Sequence, residues 1–192
     1  LHMDARSMCL ALQTGDTAKA RAVVDKTLPV AGILGRICEA PCEAACKRNE
    51  AGGAVRIGRL EKFCVGSAPR RGKPMKVPDR GRKAAVLGCG LSSLTVAHDL
   101  ARKGYRIQIF HQETDALTAV IQALPRMVPE ESVQQELDHL QRLGVSFQAA
   151  TLDSCLLQDL LAGPVPVYVG LEAVPTGILP FSLDQIDSQT LA

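Results

Sequence analysis

Apolar residues recur at helical spacing over the first 64 positions, and from residue 83 the rhythm changes to strand, helix and strand. Before Gly15, Met8, Leu10 and Leu12 predict one short helix. Asp16 is placed to cap a second, which runs through Ala18, Ala20, Val23 and Val24 and closes at Pro29. Val55, Ile57, Leu60 and Phe63 predict a further helix over 54–63. Residues 1–64 therefore read as a small all-helical domain, and a module of that size gains from an internal staple.

In the second region Ala84 to Leu87 predicts a strand, Leu94, Ala97 and Leu100 mark one face of a helix ending at Lys103, and Arg106 to Phe110 predicts a second strand. This is a βαβ unit, which implies a parallel pair. Pro129 opens a helix with the stripe Val133, Leu137, Leu140 and Leu143, and residues 145–149 and 165–169 predict two more strands. The fold class is thus helical plus α/β, with a partial Rossmann-like parallel-sheet domain over 83–192. Between the two regions, residues 65–82 (VGSAPRRGKPMKVPDRGR) carry three prolines and six basic residues against one acid, without apolar periodicity. They read as a solvated linker.

The composition, 46% hydrophobic and 22% charged over 192 residues, is that of a packed protein. A formal charge of +2 with only 3% aromatic residues argues against a nucleic-acid partner. No apolar stretch approaches the roughly 20 residues that span a bilayer, and no signal peptide is evident, so membrane insertion is not expected and a cytoplasmic chain is. Seven cysteines, three of them within nine residues, fit thiolate ligands in a reducing compartment better than a disulfide framework.

Those three are Cys38, Cys42 and Cys46 in GRICEAPCEAACKR. If Pro41 opens a helical turn, thiols spaced four apart return to one face and look at one point. That geometry suits an iron-sulfur cluster, with Cys9, Cys64 or Glu61 as candidates for a fourth ligand. Two alternatives stay open: a structural zinc site, although zinc cysteines are more often two residues apart, and three thiols packed as small hydrophobes.

The second candidate site is Gly88-Cys-Gly90-Leu-Ser-Ser93, a G-x-G-x-x-G turn between strand and helix in which Ser93 replaces the third glycine. Such a turn lets backbone amides approach a pyrophosphate, and the helix amino terminus adds a favourable field. Cys89 and Cys155 are expected to be packing residues, and His98 a partly exposed helical one.

The stretch from Leu28 to Cys46, then Ala54 to Phe63, then the linker and glycine turn, resembles the small subunit of glutamate synthase and the amino-terminal half of dihydropyrimidine dehydrogenase. The resemblance implies a helical domain for two 4Fe-4S clusters beside a flavin domain that passes on electrons from a reduced nicotinamide. It places Cys38 and Cys42 on one cluster with Glu61 as a non-cysteine ligand, and Cys46 on the other. The family's first cysteine motif would precede Asp4, so one cluster or none is expected here rather than two. FAD is expected at Gly88, Gly90 and Ser93. His111 stands where the family carries a ribose-binding acid, and Glu113 is the candidate substitute. The segment Asp115 to Val120 lacks the family's paired glycines, and no nicotinamide-binding insertion occurs before Ala192. The expected function is an electron-transfer module that works with a redox partner or larger subunit and is not catalytically complete alone. The rivals are a cofactor-free scaffold domain and a structural zinc domain.

Overall fold

The computed structural model describes residues 3–70 and 77–170; part of the expected linker (71–76) and the last 22 positions of the expected sheet domain (171–192) lie outside them. In chain order the elements are α1 (Ala5–Gln13), α2 (Thr17–Thr27), α3 (Ala31–Ile37), 3-10 turns at Pro41–Glu43 and Lys47–Ala51, α4 (Ile57–Ser67), β1 (Lys83–Leu87), α5 (Leu91–Arg102), β2 (Arg106–His111), α6 (Ala116–Ala123), α7 (Glu130–Leu143), β3 (Val145–Ala149), α8 (Ser154–Ala162) and β4 (Val167–Val169). They form two compact units, one of Leu1–Met75 with Leu124–Leu143, the other of Lys76–Ala123 with Gly144–Ala192.

In the helical unit, Asp4 and Asp16 cap α1 and α2 by accepting from the backbone N–H groups of Ser7 and Lys19. Each satisfies an amide that the helix leaves without an internal partner. Met8, Ala11, Ala20, Val24, Leu28, Ala31, Cys64 and Val65 bury against one another as the core. The stripe Val133, Leu137, Leu140 and Leu143 of α7 is buried, as its spacing predicts, and α7 groups with this unit by packing against α3.

A buried ionic network ties these helices together. Arg21 bonds Asp25 at 2.9 Å and donates to the carbonyls of Val65 and Ala68. Arg70 bridges Asp25 and Glu136, both at 3.1 Å, and Glu136 also accepts the Gly32 N–H at 2.6 Å. Burial pushes the Glu136 carboxyl up, while Arg70, the Gly32 amide and Arg21 pull it back toward the charged form. A Cβ at Gly32 would meet the Glu136 carboxylate oxygen at 2.7 Å, so a larger residue there would displace that carboxylate from the Gly32 amide.

The α/β unit is a four-stranded, all-parallel sheet of order β3-β2-β1-β4. The expected βαβ unit is present, with Leu87 opposite Phe110 in register. The chain crosses from β3 at one edge through α8 to β4 at the other, so the strand order reverses between β1 and β4. In open parallel sheets the crevice beyond the strand ends at such a reversal is where ligands collect.

Residues 77–82 are exposed, and hydrogen bonds dock them on the α/β unit. The Val77 N–H bonds the Arg102 carbonyl at 2.9 Å, the Arg80 N–H bonds the Gly104 carbonyl at 3.1 Å, and Asp79 pairs with Arg106 at 2.6 Å. Gly104 makes this docking feasible: its φ is +87°, and a Cβ would sit 2.5 Å from the Pro78 carbonyl oxygen. Two predicted boundaries also move, since α4 begins at Ile57 rather than 54 and β4 covers only 167–169.

Candidate functional site

The cysteine loop follows α3. Cys38 ends that helix in an extended conformation, and Ala40 then takes left-handed angles (φ 52°, ψ 55°) that a residue with a Cβ rarely adopts. Pro41 starts a 3-10 turn containing Cys42, and Cys46 is extended again before the second turn. The single helical face expected for the three thiols is therefore not what forms. The left-handed residue at 40 breaks the path between Cys38 and Cys42, and extended Cys46 separates the two turns.

Cys38 and Cys42 are exposed and Cys46 is half-buried. Among the described residues, no group of three or more His, Cys, Asp or Glu side chains is drawn together as metal ligands are. Backbone amides nevertheless face two of the loop's sulfurs. The Ala40 N–H points at Cys38 Sγ (3.4 Å), and hydrogen bonds from the backbone amides of Val55 and Arg48 lower the Cys46 pKa. Amide hydrogen bonds of this kind favour thiolate over thiol and are the usual outer support of a metal-bound sulfur.

Side chains fix the loop. Asn49 donates to the carbonyls of Glu43 and Ala44, and Arg48 donates to that of Gly53. Glu43 reaches α4, where its carboxylate accepts the Gly58 N–H and pairs with Arg56, both at 3.1 Å. Glu61, one turn further along α4, is 8% exposed; burial raises its pKa and the charge of Glu43 raises it further. Of the other candidate ligands, Cys64 lies in the helical core and Cys9 packs against it. Three cysteines, two of them with backbone amides on their sulfurs, are by residue type a donor set that fits iron-sulfur chemistry.

The glycine turn is of the opposite character. Residues 84–90 are buried without a break. Gly88 has φ +91° and donates its N–H to the Phe110 carbonyl at 2.9 Å, which places the turn beside the end of β2. Gly90 caps α5 with extended backbone. Ser93 is fully buried, and its hydroxyl has no hydrogen-bond partner among the described residues. Gly170, just past β4, donates to the Leu87 carbonyl at 2.9 Å, and a Cβ there would overlap Ser93 Oγ. The close approach that a third glycine normally provides is thus supplied from the far side, by Gly170. An orphan hydroxyl in the first turn of a helix fits an anionic oxygen.

Other expectations fare differently. Cys89 is buried as expected, and burial pushes its thiol up to about 12. His98 is buried at 2% exposure rather than partly exposed, because it continues the inward stripe of Leu94, Ala97 and Ala101. Cys155 is exposed rather than packed, since Leu157 takes the buried face of α8. His111 is buried with Nδ1 3.1 Å from the Glu113 carbonyl, and Glu113 is half-buried. Asp115 caps α6 at the Thr118 amide. Glu43, Gly58 and Gly170 were not singled out from sequence. Their only signals were a glutamate inside a cysteine motif, a glycine in a helix and a glycine after a short strand.

The chain thus combines a helical unit carrying a cysteine loop with a parallel α/β unit carrying a glycine turn. Residues 1–73 match the family described as dihydropyrimidine dehydrogenase domain II, 4Fe-4S cluster. The chain is 26% identical over 175 residues to the NADP(+)-dependent formate dehydrogenase subunit beta of Moorella thermoacetica, 78% of this chain and 25% of that protein. It is 30% identical over 142 residues to the putative oxidoreductase UacF of Escherichia coli K12, 71% of this chain and 22% of that protein. With the glutamate synthase (NADPH) small chain of Escherichia coli K12 it shares 28% identity over 153 residues, 76% of this chain and 32% of that protein. The matched stretch thus spans between about a fifth and a third of these relatives. The resemblance noted in the sequence holds. Among the described residues, no helix is long and apolar enough to cross a membrane.

Proposed function

We propose that the chain is the electron-transfer module of an oxidoreductase of the glutamate synthase small-chain type. In this reading the helical unit holds a 4Fe-4S cluster and the parallel-sheet unit is a Rossmann-like FAD-type domain. Cys38, Cys42 and Cys46 bind iron as thiolates, and Glu61 supplies a carboxylate. The cluster, when bound, accepts and releases single electrons. The Ala40, Arg48 and Val55 amides stabilise sulfur charge. Gly88, Gly90 and Ser93 receive the pyrophosphate of FAD, with Glu113 the nearest carboxylate in sequence to the end of β2. The N–H to sulfur bonds, lying inside the segment that matches a 4Fe-4S family, carry this reading.

The relatives named as subunits support a redox partner or larger subunit, and the cysteine usage supports a reducing, cytoplasmic setting. A second reading, a scaffold that holds no flavin, is favoured by His111, which occupies the ribose position without a carboxylate. Anaerobic purification followed by iron, labile sulfide, zinc and flavin analysis separates these readings. Iron and sulfide in equal amounts support the cluster, and flavin in the same sample supports FAD. Stoichiometric zinc, or a colourless iron-free chain, contradicts the proposal.

A further inference from the structure

Glu43 sits between two cysteines of the loop, yet its carboxylate turns away from them to α4. One oxygen accepts the Gly58 N–H and the other pairs with Arg56, each at 3.1 Å. The bond satisfies an amide in the first turn of α4, whose N-cap residue Arg56 makes no side-chain capping hydrogen bond. Steric contact reinforces it: a Cβ on Gly58 would come within 2.8 Å of the Ala40 Cβ, so the helix and the left-handed corner of the loop touch. Asn49 closes the other side by bonding the Glu43 carbonyl at 3.0 Å.

Resting on the cluster reading above, we propose that Glu43 is a positioning residue that latches the cysteine loop to α4. It fixes the distance between the loop thiolates and Glu61, and it sets the charge around the metal. The loop has no helix or strand of its own beyond single 3-10 turns, so its geometry depends on this tie. The carboxylate does not bind iron. It works through the Gly58 amide and through its negative charge.

Full-length chain, reconstituted anaerobically with ferrous iron and sulfide, provides the test. Glu43→Ala is expected to lose iron to a competing chelator about 10-fold faster than wild type, the usual cost of deleting an outer support. The circular dichroism of the metal-free chain stays unchanged. Glu43→Gln keeps an acceptor for Gly58, so it retains iron at the wild-type rate, while loss of the negative charge moves the midpoint potential upward. Gly58→Ala leaves Glu43 in place but presses α4 off Ala40, and it is expected to lose iron as Glu43→Ala does. Wild-type iron retention in Glu43→Ala and Gly58→Ala, or an unshifted potential in Glu43→Gln, overturns the latch alone. A wild-type chain that takes up no iron or sulfide overturns the cluster reading, and the latch with it.

Discussion

The cysteine loop and the glycine turn are built by opposite means. The loop is exposed at Cys38 and Cys42, carries a strained alanine, and is held by side chains: Glu43 to Gly58, Asn49 to two carbonyls, Arg48 to a third. The turn is buried at Gly88, Cys89, Gly90 and Ser93 and is held by backbone hydrogen bonds and by the close approach of Ser93 to Gly170. A loop of the first kind has few contacts to define it without its ligand, and metal binding then adds directly to its stability. A turn of the second kind persists whether or not a nucleotide is bound. The same contrast runs through the two units, since buried charges join the helices and a continuous parallel ladder joins the strands.

The widest gap between the two sites is in thiol chemistry. Cys46 is held below the ordinary thiol value of 9.0 by amide hydrogen bonds, whereas burial pushes Cys89 up to about 12. In the metal-free chain at pH 8, Cys46 should be alkylated by iodoacetamide at least about 1000-fold faster than Cys89, from the difference in thiolate fraction. Mass spectrometry of the labelled peptides reads this, and comparable rates would erase the distinction.

Removing the carboxylate of Glu136 probes the charge network of the helical unit. Glu136→Ala leaves Arg21 and Arg70 buried with only Asp25 between them, so a loss of about 3–5 kcal/mol is expected from chemical denaturation. Hydrogen exchange should place that loss in α2, α3 and α7, and unchanged protection there would contradict it.

The glycine turn is tested by crowding. Gly170→Ala should cost about 1–3 kcal/mol by overpacking against Ser93, and Ser93→Gly in the same chain should restore most of it. Additive losses in the double variant would show that the two residues are not coupled. The smallest effect expected is at a helix cap: Asp16→Ala removes the bond to the Lys19 amide, costing about 1 kcal/mol, and thermal unfolding measures it.

The sequence was most legible where one physical signal dominated. Apolar spacing alone located α1, α2, α7 and the βαβ unit, and Asp16 announced its cap. The strand, glycine and helix succession located the turn. What stayed hidden depended on contacts distant in sequence. The Glu43 tie spans 15 residues and the Arg70 to Glu136 pair 66, and neither leaves a periodic trace. Regular spacing misled at the cysteines, where intervals of four suggested one helical face while Ala40 takes the left-handed conformation. Composition gave no sign that the exposed residues 77–82 are tied by hydrogen bonds to the corner made by Gly104.

The central claim is that the loop of Cys38, Cys42 and Cys46 holds an iron-sulfur cluster able to carry single electrons. Low-temperature electron paramagnetic resonance of the anaerobically reconstituted, dithionite-reduced chain tests it most directly. The account predicts a cluster signal in the wild-type chain that disappears in Cys42→Ser; a wild-type chain that stays silent after reduction, or a signal indifferent to Cys42, would contradict it.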